Sequence, residues 1–344
     1  MHTTQTAVVI LNWNGKHMLE RFLPSIIAHT PEDAEVIVAD NASDDDSLDF
    51  LRTTYPGIRL IILDKNYGYA GGYNRALDQV DAEYYVLLNS DMQVTGEWLQ
   101  PCIQMMEEDH QLAAVQPKIR SLEHPEYFEY AGAAGGFLDH FGFPFCRGRV
   151  FQTVEKDDGQ YDDAVDVFWA SGAAMFVRST AFYKAGGFDA RFFAHMEEID
   201  LCWRFHNLGY RVAYCPLSVV FHLGGGSLPV SSPRKTYLNF RNSLWMLAKN
   251  LPRRKFRALI PFRYVLDELA AFRFLIKGQG KNMMAVARAW YALITQRKTL
   301  RNNRVKVPRE LPQMLYRRSI VLQYYLFRRK CFSDLRFKAS TARK

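Results

Sequence analysis

The sequence predicts an α/β protein: a doubly wound, mostly parallel sheet in residues 1–232, followed by a basic, amphipathic helical extension in residues 233–344. Three observations carry this. Up to Met92, short apolar runs bounded by polar turns alternate with segments of helical spacing, as a parallel sheet with crossover helices requires. Several of those runs stop at Asn or Asp, where an open α/β sheet places its ligand crevice. Charge is also divided unevenly. Residues 233–344 hold 28 Lys and Arg against Asp267, Glu268, Glu310 and Asp334, whereas residues 1–232 hold 16 basic residues against 32 acidic ones. A total of +8 thus conceals +24 and −16, which implies two modules with different partners.

The elements follow in order. Ala7 to Leu11 has the pattern of a buried strand and runs into Asn12-Trp13-Asn14-Gly15. Met18 to Ala28 places Met18, Leu19, Phe22, Leu23, Ile26 and Ile27 at helical spacing. Val36 to Ala39 is a second strand, ending at Asp40-Asn41-Ala42-Ser43-Asp44; Ser47 to Thr53 is a short helix; Ile58 to Leu63 is a third strand. Asn66 to Tyr73 is glycine-rich and leads into a helix over Asn74 to Val80. Tyr84 to Leu88 is the fourth strand, ending in Asn89-Ser90-Asp91. Asn12 and Asn14, Asp40, and Asn89 and Asp91 therefore face one crevice, where a carboxylate can hold a divalent metal against a phosphate. The glycine-rich stretch lets backbone approach a ligand closely. It is not G-x-G-x-x-G and follows the third strand, which disfavours a dinucleotide-binding dehydrogenase.

Further on, Trp98 to Met106 reads as a helix, Ala131 to Gly148 as loop or hairpin, and the acidic Glu155 to Asp166 as a solvated loop. Phe168 to Arg178 is either a buried strand or a substrate wall with Trp169 exposed beside Gly172. Glu197-Glu198-Ile199-Asp200 opens a helix with Leu201, Phe205 and Leu208 as its buried stripe. Acidic residues suit a helix N-terminus. Placed just after Phe192-Phe193, they also stand where desolvation raises proton affinity. Val219 to His222 is a strand ending in histidine before Gly224-Gly225-Gly226, a good position for a ligand.

The five cysteines are odd in number and scattered, without a C-x-x-C pair. This argues for a reducing, cytoplasmic compartment and against a disulfide framework or structural zinc. Met1-His2-Thr3-Thr4 runs straight into an apolar strand, so no signal peptide is expected. Ala258 to Ile276, the nearest candidate for a membrane span, carries Arg263, Asp267, Glu268 and Arg273, so none is expected there.

Taken in order, Asn12-Trp13-Asn14-Gly15, Asp40 to Asp44, Asn66 to Asn74, Asn89-Ser90-Asp91, Gly172-Ala173-Ala174, Gly187-Phe188-Asp189, Glu197 to Asp200 and His222 to Ser227 resemble the inverting family 2 glycosyltransferases of the GT-A fold. The likeness covers about residues 5–245 and is nearest to rhamnosyltransferase-like and galactofuranosyltransferase-like enzymes. It implies that Asn12, Asn14 and Asp40 line the base and ribose pocket, with Asp40 accepting from a pyrimidine N–H. It implies that Asn66, Gly72 and Asn74 contact the nucleotide. Asn89-Ser90-Asp91 stands in the place of the D-x-D motif, and Asp91 and His222 would bind Mn²⁺ or Mg²⁺. Glu198, with Glu197 as the alternative, matches the catalytic base. Trp169, Gly172 and Arg241 fall on the acceptor side. Two positions depart from the family pattern, Asn89 and Glu198 each replacing an aspartate.

The resemblance implies transfer of a sugar from a nucleoside-diphosphate donor, such as dTDP-rhamnose or a UDP-sugar, to a glycan acceptor, lipid-linked or free, in cell-surface polysaccharide synthesis. A sugar-nucleotide pyrophosphorylase and a non-catalytic sugar- or lipid-binding relative are the alternatives. The first would show a basic, glycine-rich phosphate loop after the first strand, which Asn12-Trp13-Asn14-Gly15 is not. Residues 244–344 read as amphipathic helices, among them Phe262 to Ile276, Met283 to Ile294 and Leu315 to Phe327. They form either a cap on the catalytic domain or a peripheral attachment to an anionic cytoplasmic leaflet. No nucleic-acid-binding motif is present, so nucleic acid is not an expected partner.

Overall fold

The structure is a computed structural model that describes residues 4–224, 232–302, 312 and 314–335. The first half alternates as the sequence requires: β1 (Thr4–Asn12), α1 (Lys16–His29), β2 (Ala34–Asp40), α2 (Ser47–Thr54), β3 (Arg59–Ile62), α3 (Gly68–Leu77) and β4 (Ala82–Asn89). β5 (Met92–Val94), α4 (Gln100–Glu108) and β6 (Leu112–Ser121) follow. Four short strands come next: β7 (Gly136–Asp139), β8 (Pro144–Cys146), β9 (Arg149–Val150) and β10 (Thr153–Val154). Then come β11 (Val165–Asp166), β12 (Ala174–Arg178), α5 (Ser179–Lys184), α6 (Glu197–Asn207) and β13 (Arg211–His222). The C-terminal part holds α7 (Pro233–Asn250), α8 (Arg253–Ile276), α9 (Gly280–Thr295), α10 (Arg297–Asn302), β14 (Leu315–Tyr316) and α11 (Ile320–Tyr325).

The main sheet runs β11-β13-β6-β12-β4-β1-β2-β3, with β5 on the end of β13. β1 to β4 are parallel, as are β6 and β13; β12 lies antiparallel between β4 and β6. Both faces are covered. Val8 and Ile10 pack with Leu19, Leu23 and Ile26 of α1 and with α4. Ala7 and Val9 pack with Ala70, Tyr73 and Leu77 of α3 and with α6. Each such fully buried aliphatic side chain is worth about 1.5–3 kcal/mol, which is why the strands tolerate no polar residue until their last position. That polar last position puts Asn12, Asp40 and Asn89 along one edge of the sheet.

The glycine-rich stretch is the helix rather than its approach. α3 begins at Gly68 because Asn66 Oδ1 accepts from the Gly68 N–H (2.7 Å) and Phe193 O accepts from the Ala70 N–H (3.2 Å). A Cβ on Gly72 would lie 2.9 Å from Leu11 and 3.1 Å from Asn41. Overpacking costs about 1–3 kcal/mol, against about 1 kcal/mol of helix propensity gained by alanine, so close approach wins.

The remaining differences are also tertiary in origin. Leu208 is 43% exposed instead of completing the stripe of α6. The acidic stretch is partly buried: Asp157 pairs with Lys118 at 3.1 Å, and Tyr161 is in the core. Leu315 to Phe327 is not one helix. β14 pairs with β7 in a second sheet, β10-β9-β8-β7-β14, where Tyr316 meets Phe145 and Phe332 meets Phe137. The division of charge at residue 233 is not a division in packing, since α7 lies against α6 and α9.

Candidate active site

The ends of β1 and β2 are tied by one set of polar side chains. Asp40 is fully buried. Its Oδ2 accepts from Ser43 Oγ (2.7 Å) and Asn12 Nδ2 (2.9 Å), and its Oδ1 accepts from the Ser43 N–H (2.8 Å). Three donors close it off, so the expected open acceptor for a base N–H is not there. Asp40 instead builds the turn after β2. Asn14 donates its backbone N–H to Ser43 Oγ and accepts from the Asp44 N–H, both at 2.9 Å. Asn66 accepts from Asn41 Nδ2 at 3.2 Å. Asn12 Oδ1 is buried without a hydrogen-bond partner. Gly72 sits in the helix–sheet contact. Asn74 donates to Phe188 O (2.8 Å) and accepts from the Phe188 N–H (2.9 Å). Neither Gly72 nor Asn74 presents a group to a nucleotide; their part is to fasten α3.

The next strand end is anionic. The Asn89 N–H bonds Ala173 O, which sets Asn89 beside Gly172. β5 pairs Met92 with His222 and so brings Asp91 to the end of β13. His222 Nε2 lies 3.1 Å from Asp91 Oδ1, and its Nδ1 lies 3.3 Å from Glu129 Oε2; all three side chains are nearly buried. Burial opposes the imidazolium, but the two carboxylates outweigh it and raise His222 to about 10. A carboxylate oxygen and an imidazole nitrogen side by side, with a second carboxylate orienting the far ring nitrogen, is the arrangement of a metal-binding histidine. Among the described residues no group of three or more His, Cys, Asp or Glu forms a complete cage. A cation here would take two protein ligands, as Mg²⁺ and similar ions do when substrate phosphates complete the set.

The catalytic candidates stand at the start of α6. Phe193, His195 and Met196 all have left-handed backbone, with φ of 67°, 71° and 71°, a conformation that costs about 1–3 kcal/mol per non-glycine residue and persists only when neighbours impose it. Asn242 imposes it here: its Nδ2 donates to the carbonyls of Phe192, Ala194 and His195 at 3.0, 2.9 and 2.7 Å. Arg241 donates to Arg191 O (3.1 Å) and Phe192 O (2.9 Å), its guanidinium 4.4 Å from the Trp245 ring. Arg241 is therefore a brace for this loop, not an acceptor contact. The braced loop delivers Glu197 and Glu198, each with a buried Oε2 that lacks a hydrogen-bond partner. Burial, and for Glu197 the neighbouring Glu198, pushes both carboxyls up; Glu197 goes well above the carboxylate range, while backbone amides at the helix start hold Glu198 to about 7. Glu198 thus ionises first.

Tyr69 joins these carboxylates to the sheet. Its hydroxyl donates to Gly172 O (2.7 Å), and a Cβ on Gly172 would lie 2.7 Å from that hydroxyl. Burial and Tyr73, followed by Glu197 and Glu198, raise Tyr69 well above its ordinary value. Asp200 has a different task. It accepts from Lys249 Nζ (2.8 Å), Arg204 Nε (3.0 Å) and Asn250 Nδ2 (2.8 Å). Burial would raise it, but Lys249 and Arg204 lower it. It ties α6 to α7. Trp169 is buried, its Nε1 donating to Phe137 O (2.9 Å) and its ring lying on Gly136. The expected exposed wall is absent, because only glycine at position 136 leaves room for the indole.

The fold and this site define a sugar-transferring enzyme with a nucleotide-binding sheet, and comparison with known proteins agrees. Residues 7–169 match the model of glycosyl transferase family 2. Among relatives is an N-acetylglucosaminyl-diphospho-decaprenol L-rhamnosyltransferase of Mycobacterium tuberculosis, 28% identical over 229 residues, spanning 62% of this chain and 75% of that protein. Another is the rhamnosyltransferase WbbL of Escherichia coli, 26% identical over 222 residues, spanning 62% and 82%. The fold is shared with GalNAc-T7, solved with UDP, GalNAc and Mn²⁺ (TM-score 0.59, 15% identity, 87% of this chain and 58% of that one). It is shared also with the mannosyltransferase PcManGT of Pyrobaculum calidifontis, solved with GDP-Man and Mn²⁺ (TM-score 0.51, 15% identity, 85% and 75%). The chain carries a family 2 glycosyltransferase domain of the GT-A fold, and the protein is a glycosyltransferase.

Proposed function

We propose that the protein is a metal-dependent inverting glycosyltransferase that moves a sugar from a nucleoside-diphosphate donor to a hydroxyl of a glycan acceptor. The observation that carries this is the pair of buried carboxylates with unpartnered oxygens on the braced loop before α6. Such groups are costly unless a ligand uses them. The polar ties through Asn12, Asn14, Asp40 and Asn66 shape the nucleotide pocket, and Asn89 stands at its rim toward the ribose. Asp91 and His222 hold Mn²⁺ or Mg²⁺, with Glu129 orienting the imidazole. The metal, when bound, neutralises charge on the departing diphosphate. Glu198 takes the proton of the acceptor hydroxyl. The freed oxygen bonds the anomeric carbon as its bond to the phosphate oxygen breaks. This single displacement inverts the configuration.

The rhamnosyltransferase relatives favour dTDP-rhamnose as donor, with a UDP-sugar as the alternative. The decaprenol-linked substrate in the first relative's name favours a lipid-linked acceptor. Among the described residues no helix is long and apolar enough to cross a membrane, so the enzyme would reach such an acceptor peripherally, from the cytoplasmic face.

The metal assignment is tested by donor binding, measured calorimetrically with and without Mn²⁺. Asp91→Ala and His222→Ala each remove the Mn²⁺-stimulated part of binding and leave the far-ultraviolet spectrum unchanged. Full stimulation in either variant takes that residue out of the site.

A further inference from the structure

A surface helix ordinarily turns its apolar side chains inward and its charges outward. α8 is built the other way round. Its inner face buries Arg263 and Asp267, 1% and 0% exposed and paired at 2.8 Å, with Arg263 also donating to Phe141 O. Its outer face presents Val265, Leu269, Phe272 and Ile276, spaced i, i+4, i+7, i+11 and 57%, 59%, 59% and 71% exposed. The adjoining helix repeats the pattern. α9 buries Ala285, Val286, Ala289 and Ala292 and exposes Met284, Tyr291 and Ile294. The two helices are joined by Trp290, which donates to Asp267 (3.0 Å) and meets the Tyr264 ring at 5.0 Å. Arg273 lies 5.1 Å from the Tyr325 ring, which brings the exposed Leu326 and Phe327 after α11 to the same end of α8. Each large apolar side chain left in water forgoes about 1.5–3 kcal/mol. An exposed apolar surface this extended marks an interaction site.

We infer that the outer face of α8 and α9 is a docking surface for an anionic lipid membrane, on which the two helices lie in the plane of the interface. This rests on the peripheral reading above and adds to it the surface and the lipid chemistry. Charge selects the occupant. Residues 253–302 hold twelve Lys and Arg against only Asp267 and Glu268, and the one buried pair, Arg263–Asp267, is neutral. A second copy of the chain would set these cations against one another, and a neutral apolar partner would leave them unanswered. An anionic bilayer accepts the apolar stripes below its headgroups and the lysines and arginines among them.

The test is flotation of the purified full chain with vesicles of phosphatidylcholine alone or mixed with phosphatidylglycerol. The protein floats with the mixed vesicles and not with the neutral ones, and raised salt weakens the binding. Leu269→Glu/Phe272→Glu/Ile276→Glu lowers binding by at least about tenfold, and Lys277→Ala by about fivefold, one lysine's worth at an anionic surface. Nucleotide-sugar hydrolysis by the triple variant stays at the level of the parent. Ile276→Trp, which keeps the face apolar, shifts emission to the blue on mixed vesicles relative to the parent. Three results overturn the inference: no flotation at low salt, unchanged flotation of the triple variant, or a dimer in solution that the triple variant abolishes. Flotation needs no donor, so its failure leaves the transferase reading standing, and failed donor turnover leaves the docking surface standing.

Discussion

Glu198→Gln lowers kcat about 10²–10⁴-fold, the usual worth of a general base, while donor affinity stays near that of the parent. Glutamine keeps the volume but cannot take the acceptor's proton. The same substitution stabilises the fold. The Glu198 carboxyl is raised by burial from 4.5 to about 7, so between those values the folded state holds a proton that the unfolded state releases. Stability therefore falls as pH rises through this window, and glutamine removes the loss. The variant melts higher than the parent above pH 7 and equally below pH 4.5. A residue that merely supported the loop would lose stability on substitution. In the parent, kcat/KM rises with pH to a limb near 7. Glu197→Gln discriminates the register: if it abolishes turnover while Glu198→Gln retains it, Glu197 is the base.

Lys249→Met destabilises the protein by about 3 kcal/mol, at the lower end of the cost of removing one partner from a buried ion pair. Lys249 is 3% exposed in its side chain and bonds Asp189 (2.6 Å) and Asp200 (2.8 Å). Arg191 still serves Asp189, and Arg204 and Asn250 still serve Asp200, which keeps the cost from the upper end. The urea midpoint falls with an unchanged slope. Because Asp200 anchors the first turn of α6, kcat falls as well. A midpoint unchanged within error would show that α6 is held by its apolar contacts alone.

Legibility from sequence followed locality. β1, β2 and β4 and their polar ends were plain because period and termination lie within a few residues. Glu197 and Glu198 stood out because acidic side chains directly follow aromatic ones. The start of α3 was misplaced because glycine propensity argues against a helix, whereas contacts with Leu11 and Asn41 decide the matter. Trp169 could be placed only by knowing that Gly136 lies beneath it. Glu129 and Asn242 carried no local signal at all: one meets His222 and the other clamps the carbonyls before α6 through contacts 50 and more residues apart in sequence. The polarity inversion of α8 was written in the spacing of Val265, Leu269, Phe272 and Ile276, but which stripe faced inward depended on the Arg263–Asp267 pair.

The most direct measurement is release of nucleoside diphosphate from a panel of nucleotide sugars by the purified protein, with Mn²⁺ or with EDTA. Slow hydrolysis of one donor, dTDP-rhamnose or a UDP-sugar, that requires Mn²⁺ and disappears in Glu198→Gln is the predicted result. Turnover undiminished by EDTA, or no turnover of any donor in the panel, would contradict a metal-dependent transferase built on these carboxylates.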